Sequence, residues 1–150
     1  MSVHLKPGWL GLTCASVDRA THPAVHGEDH SVLGPLQITW SEGSAITFDV
    51  GADWKIQAIE GRWRDPFGEV SSQERNQLRN EVGLWELSPV DKDDALSSLL
   101  GNVAVGLRER LNANGDLSGI DVEFSSGLVL ELSVWEGELT AMVRPQGVLS

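Results

Sequence analysis

The sequence predicts an α+β fold: a single antiparallel β-sheet-rich domain over residues 1–150, with one or two short helices. Apolar and polar residues alternate in short runs bounded by Gly, Asn, Asp and Ser, the period of half-buried strands. Only two segments carry helix start and stop signals. No linker or low-complexity tract divides the chain, and its 150 residues suffice for one core.

Strands are predicted near 9–15, 35–41, 45–50, 54–60, 84–88, 102–111, 118–125, 128–135 and 138–144. A helix is predicted over 72–82, where Ser71 or Ser72 can cap it, Glu74 sits in its first turn and Gly83 follows as a stop. A second, short helix over 93–101 is capped by Asp93 or Asp94 and closed by Gly101. Asn112 to Asp116 reads as a turn, with Gly115 free to take positive φ. The His-, Gly- and Pro-rich segment 18–31 is predicted as an exposed loop.

The run from Val122 to Trp135 alternates on both sides of Ser125-Ser126-Gly127, which predicts a hairpin with a three-residue turn. Ile120 then pairs with Leu132 and Val122 with Leu130 on an apolar face. The opposite face sets Asp121 against Glu131 and Glu123 against Val129. Like charges placed opposite each other cost about 0.2–1 kcal/mol per pair, and no Lys or Arg occurs between Asp116 and Glu138. Such a face is either a site for a cationic partner or a solvated surface that keeps an acidic protein soluble.

Residues 36–50 match residues 120–134 at an offset of 84 without gaps: apolar positions 38, 40, 46, 48 and 50 fall on 122, 124, 130, 132 and 134, and Gly43 falls on Gly127. The match fits a diverged duplication and equally fits two independent hairpins with one turn type. The outward positions of the first copy are Gln37, Thr39, Ala45, Thr47 and Asp49, so the hairpin itself does not demand acid there. Asp121, Glu123, Glu131, Glu136 and Glu138 are therefore the candidate partner-binding residues, with Trp135 beside them as an apolar anchor.

The formal charge of −11 disfavours nucleic acid and anionic membranes and favours a basic protein partner. Cys14 is the sole cysteine, so no intramolecular disulfide can form, and a buried structural thiol in a reducing compartment is expected. The first 20 residues are too weakly apolar for a secretory signal and no segment reaches the length of a membrane span. A cytoplasmic location is expected.

His22, His26 and His30, with Glu28 and Asp29, are zinc-ligand types on one loop, although Pro23 and Gly27 rule out helical spacing. Solvated loop histidines are the simpler reading; a small metal-dependent or ligand-binding enzyme built on this loop is the alternative. Asp49 to Glu60 fails as a calcium loop because Trp54 stands where a sharp turn needs Gly. Arg62 and Arg64 flank Trp63, as at a protein contact or in pairs with Glu60 and Asp65. Phosphate-loop, dinucleotide, nucleophile-elbow and metalloprotease signatures do not occur. The leading expectation assigns no catalytic residue and no cofactor.

The runs Leu99-Leu100-Gly101, Asn114-Gly115-Asp116, Gly119 to Phe124, Gly127 to Leu130 and Val134 to Leu139 resemble the C-terminal part of small bacterial immunity proteins. These are encoded beside polymorphic or type VI secreted toxins. The resemblance covers about the last 50 residues, with Gly34 to Trp54 and Asp65-Pro66-Phe67 fitting more loosely. It implies a non-enzymatic inhibitor inside the cell that binds one cognate toxin and blocks its active site or substrate access; it implies no individual contact residue.

Overall fold

Residues 2–5, 8–22, 32–51, 53, 55–64, 71–81, 86–135 and 138–146 are described by the computed structural model. The strands among them are β1 (Ser2–Leu5), β2 (Cys14–His22), β3 (Val32–Trp40), β4 (Ala45–Val50), β5 (Ile56–Glu60), β6 (Glu86–Pro89), β7 (Ala104–Leu111), β8 (Leu117–Phe124), β9 (Leu128–Trp135) and β10 (Glu138–Pro145). Among the described residues, helix is confined to α1 (Ser72–Glu81) and a 3-10 turn over Ala95–Leu99. The sheet-rich part of the expected fold class holds, whereas its helical part shrinks to these two pieces.

All pairings are antiparallel and form two five-stranded sheets, ordered β1-β7-β8-β9-β10 and β5-β4-β3-β2-β6. The inner faces share one apolar core built on Trp40, Phe48, Phe124, Ile120, Leu130 and Leu132. β10 lies against β3 and β4, and β5 against β8.

The two sheets repeat one plan. Ile38 pairs with Ile46 and Gln37 with Thr47; 84 residues on, Val122 pairs with Leu130 and Asp121 with Glu131. Gly43 (φ 104) and Gly127 (φ 88) close the two turns, each donating its N–H to the strand end, Trp40 O at 2.9 Å and Phe124 O at 3.0 Å. The preceding strands carry the same bulge, between Cys14 and Ser16 in β2 and between Ala104 and Gly106 in β7.

The halves are also cross-linked reciprocally. Thr13 and Val103 form a bridge between them. Gly11 N–H donates to Ala104 O (2.7 Å) as Gly101 N–H donates to Cys14 O (2.8 Å), and Cys14 N–H donates to Asn102 O (2.8 Å) as Ala104 N–H donates to Leu12 O (3.0 Å). The first strands are exchanged: β1 precedes β2 but pairs with β7, whereas β6 precedes β7 but pairs with β2.

Several strand boundaries differ from the sequence reading, most of all at β2. The strand expected over 9–15 begins only at Cys14 and runs to His22, so residues 18–22, expected in a loop, are strand. Gly8 to Leu10 instead form a turn, which leads into the cross-links just described. β1 was hidden because four residues are too few to show a period. The helix over 72–82 is present as α1, with Glu74 N–H bonded to Ser71 Oγ at 3.1 Å. Asp94 caps the second segment through Leu96 N–H, but only as a 3-10 turn. Gly83 lies outside the described residues.

With strands exchanged and one core shared, neither half has an independent source of stability. Urea unfolding followed by tryptophan fluorescence and by far-UV circular dichroism is expected to give coincident single transitions; separated midpoints would show the halves melting independently.

Candidate functional site

The outer face of the first sheet carries the predicted residues, and the tertiary structure changes their chemistry. Asp121 is only 4% exposed, although it points away from the core. Its carboxylate sits between two guanidinium groups, 3.3 Å from Arg110 Nε and 3.6 Å from Arg144 Nη2. Arg144 Nε also donates to Glu131 Oε2 at 2.8 Å, and Arg108 lies 3.5 Å from Glu123. The cations come from β7 and β10, strands that flank the hairpin in space and lie outside the Asp116–Glu138 stretch. Three arginines therefore interleave with Asp121, Glu123 and Glu131, and the facing Asp121/Glu131 pair is bridged by Arg144.

Gly119 makes this arrangement possible. A Cβ at that position would fall 2.4 Å from Arg110 Cζ. Without one, Arg110 lies across β8 and its Nη2 donates to Leu132 O (2.8 Å) and Ser133 Oγ (3.2 Å) of β9. Burial raises the Asp121 carboxyl from its ordinary value, and Arg110 and Arg144 only partly oppose the rise. The Arg110 Nε and Asp121 Oδ1 atoms are buried and do not meet hydrogen-bond geometry, so their attraction is electrostatic.

Around this network two apolar side chains stand exposed among polar neighbours such as Ser133, Thr140 and Glu138. Trp135 is 67% exposed and Met142 53%. Both are on the outward side: Trp135 follows the inward Leu132 and Val134 positions, and Met142 pairs with Glu131. Glu138 pairs with Trp135 at the end of β9 and is half-buried. Glu136 lies outside the described residues. The structure thus brings Asp121, Glu123, Glu131, Trp135 and Glu138 onto one face, as the hairpin register predicts, and adds Arg108, Arg110, Arg144 and Met142, which local sequence did not point to.

The same face of the second sheet is built differently. Gln37 and Thr47 stand at the positions of Asp121 and Glu131, and both are buried. Chain that leaves β5 covers them: Trp63 N–H donates to Gln37 Oε1 (2.9 Å) and Thr47 Oγ1 to Gly61 O (2.9 Å). Arg62, expected at a protein contact or in an ion pair, donates to Gly43 O at 3.2 Å.

Of the histidines behind the metal reading, His22 belongs to β2, and His26 and His30 lie outside the described residues. Among the described residues no group of His, Cys, Asp and Glu has metal-binding geometry. Cys14 is buried, and burial pushes its thiol up to about 11, so it is protonated and unreactive at neutral pH. No described helix is long and apolar enough to cross a membrane. Comparison with known proteins finds no matching family model, curated protein or solved structure.

Two outcomes follow. Asp121→Arg would bury a third guanidinium between Arg110 and Arg144 and should cost about 3 kcal/mol or more in chemical denaturation. Asp121→Asn should be tolerated far better, because burial already disfavours the charged carboxyl. Relative to that variant, the native protein should gain stability as pH falls through the raised Asp121 value and lose it as pH rises again. Separately, Cys14 should react with Ellman's reagent at pH 8 only after the protein is unfolded in urea.

Proposed function

We propose that this chain is a non-enzymatic immunity-type protein that neutralises a cognate bacterial toxin by docking the outer face of its first sheet on it. The observation that carries the proposal is the pair of exposed side chains, Trp135 and Met142, on a sheet face whose charges are otherwise paired. Tryptophan is the side chain most enriched at binding hot spots, and methionine adapts to irregular partner surfaces. A network that locks Arg110, Arg144, Asp121 and Glu131 in place presents those anchors on a rigid floor, which reduces the ordering cost of association. The choice of a toxin as partner rests on the resemblance of residues 99–139 to immunity proteins.

The pairing revises how such a partner is recognised. Asp121, Glu123 and Glu131 are matched by Arg108, Arg110 and Arg144, so the centre of the face holds no excess of acid. Contact there depends on apolar burial and on mixed charges. The overall charge of −11 acts at longer range, steering a basic partner toward the molecule and setting the encounter rate.

Co-purification of the tagged protein from its host, with partners identified by mass spectrometry, is expected to recover one stoichiometric protein with a C-terminal toxin domain. Titration of that domain by calorimetry should show the Trp135→Ala, Met142→Ala double variant binding at least about tenfold more weakly. Its unfolding free energy should stay within about 0.5 kcal/mol of the native value, as for exposed sites. Unchanged affinity would remove the face from consideration, and recovery of the protein alone would remove the toxin.

A further inference from the structure

The last strand of each half ends its sheet: β5 in the second sheet and β10 in the first. The two strands correspond position by position, since Ile56 pairs with Val50 as Leu139 pairs with Val134. Gly61 N–H donates to Ala45 O (2.8 Å) and Gly51 N–H to Lys55 O (3.0 Å). Main-chain groups alternate in direction along an antiparallel strand, so Gln57 and Ile59 also face β4, whereas Ile56, Ala58 and Glu60 turn their N–H and C=O groups to the free edge. None of the hydrogen bonds among the described residues reaches that edge.

The repeat supplies an internal control for this edge. In the first sheet the outward Leu139 O accepts from the guanidinium of Arg19, and β10 lies against β3, β4 and the 3-10 turn. Arg19 pairs with Leu36; the residue paired with Ile120, the counterpart of Leu36, is Glu109, and a carboxylate cannot donate to a carbonyl. The plug is therefore present at β10 and absent at β5. Exposure follows the same division: Gln57, Ala58, Ile59 and Glu60 are all exposed, whereas in β10 only Met142 and Pro145 are. The remaining sheet ends are blunted by length, β1 and β6 having four residues each, and β6 stops at Pro89. Strand β5 carries no Lys, no Pro and no bulge against β4, the devices that ordinarily keep strand edges from pairing.

We propose that the β5 edge pairs antiparallel with the same edge of a second copy of this chain, about a two-fold axis at Ala58. Ala58 then bonds to the second copy's Ala58, Ile56 to its Glu60 and Glu60 to its Ile56, which uses every outward main-chain group of the strand and joins the second sheets of both copies into one. The residues of the strand suit self-pairing. Its one charge, Glu60, stands at its end. Two-fold symmetry therefore sets the two carboxylates about 13 Å apart along the seam, beyond the screening length at physiological salt. Each also approaches a cation, because Lys55 precedes the Ile56 that it faces. Ile59, 48% exposed, falls opposite the second copy's Gln57 and diagonal to its Ile59, which brings the exposed apolar side chains of both copies to one seam. Closed two-fold pairing is the commonest form of self-association. The edge belongs to the other sheet from Trp135 and Met142, and the inference stands independently of the docking face.

The test is sedimentation velocity of the full-length protein over a concentration series, which should show a monomer–dimer equilibrium. Added salt should tighten it, because repulsion between two acidic copies is screened. Ala58→Pro removes an outward N–H and leaves the β4 ladder whole, and Ile59→Lys puts a charge at an exposed position of the seam. Each should weaken dimerisation at least about tenfold without changing the circular dichroism spectrum; if Ala58→Pro does not fold, Ile59→Lys decides. Hydrogen exchange should protect the Ile56, Ala58 and Glu60 amides only at concentrations that form the dimer, and the Gln57 and Ile59 amides, bonded to β4, at every concentration. A monomer up to millimolar concentration, unchanged dimerisation in either folded variant, association weakened by salt, or edge amides protected only on adding a co-purified partner protein would overturn the proposal.

Discussion

The whole architecture depends on the reciprocal main-chain cross-link at Thr13 and Val103. Each half sends one extended segment past the other, and the four hydrogen bonds among Gly11, Leu12, Cys14, Gly101, Asn102 and Ala104 pin the start of β2 against the start of β7. Those bonds satisfy polar backbone at a place where the chain passes beside the buried Cys14 and Ala104 side chains. Because β1 and β6 are exchanged across the same junction, the order of strands in each sheet follows from it. Gly11 (φ 92) and Gly101 (φ 82) are the residues that let the chain turn into it.

From that junction, one plan yields two outer faces. At the central position of the second sheet the protein buries Gln37 under main chain from Gly61 to Trp63, which is neutral and dry. At the central position of the first sheet it buries Asp121 under the side chains of Arg110 and Arg144. Gln37 is met by a hydrogen bond, whereas Asp121 is met by ion pairs with its buried Oδ1 left outside hydrogen-bond geometry. They differ in what remains outside. Main chain laid across the second sheet covers Gln37 and Thr47 but leaves Ile59 of β5 exposed, whereas arginines lying flat on the first sheet leave Trp135 and Met142 uncovered.

Charge is thereby separated into two roles. Inside the network, opposite charges on four adjacent strands hold side chains in fixed positions, and their long-range fields largely cancel. The excess acid resides elsewhere on the chain. Arg19 shows the same economy between the sheets: it is buried, its guanidinium donates to Leu139 O across the core, and the loss of hydration lowers its pKa while Asp94 and Glu138 oppose that shift.

The sequence by itself determined the elements whose information is local. Alternation gave the hairpins and their registers, Ser71 or Ser72 and Asp93 or Asp94 marked helix starts, of which the structure uses Ser71 and Asp94, Gly43 and Gly127 marked turns, and the parity of the strand placed Trp40 inside and Trp135 outside. The match between residues 36–50 and 120–134 is present in space as a common register. What only the tertiary structure decided were the relations between segments distant in the chain. The acid-rich stretch holds no cation of its own; its countercharges arrive from Arg108, Arg110 and Arg144 through strand order, which alternation cannot encode because every strand has the same period. The exchange of β1 and β6, the cover over Gln37 and the open edge of β5 have the same origin: each depends on which strands become neighbours, a choice made by the shared core and not by any local pattern.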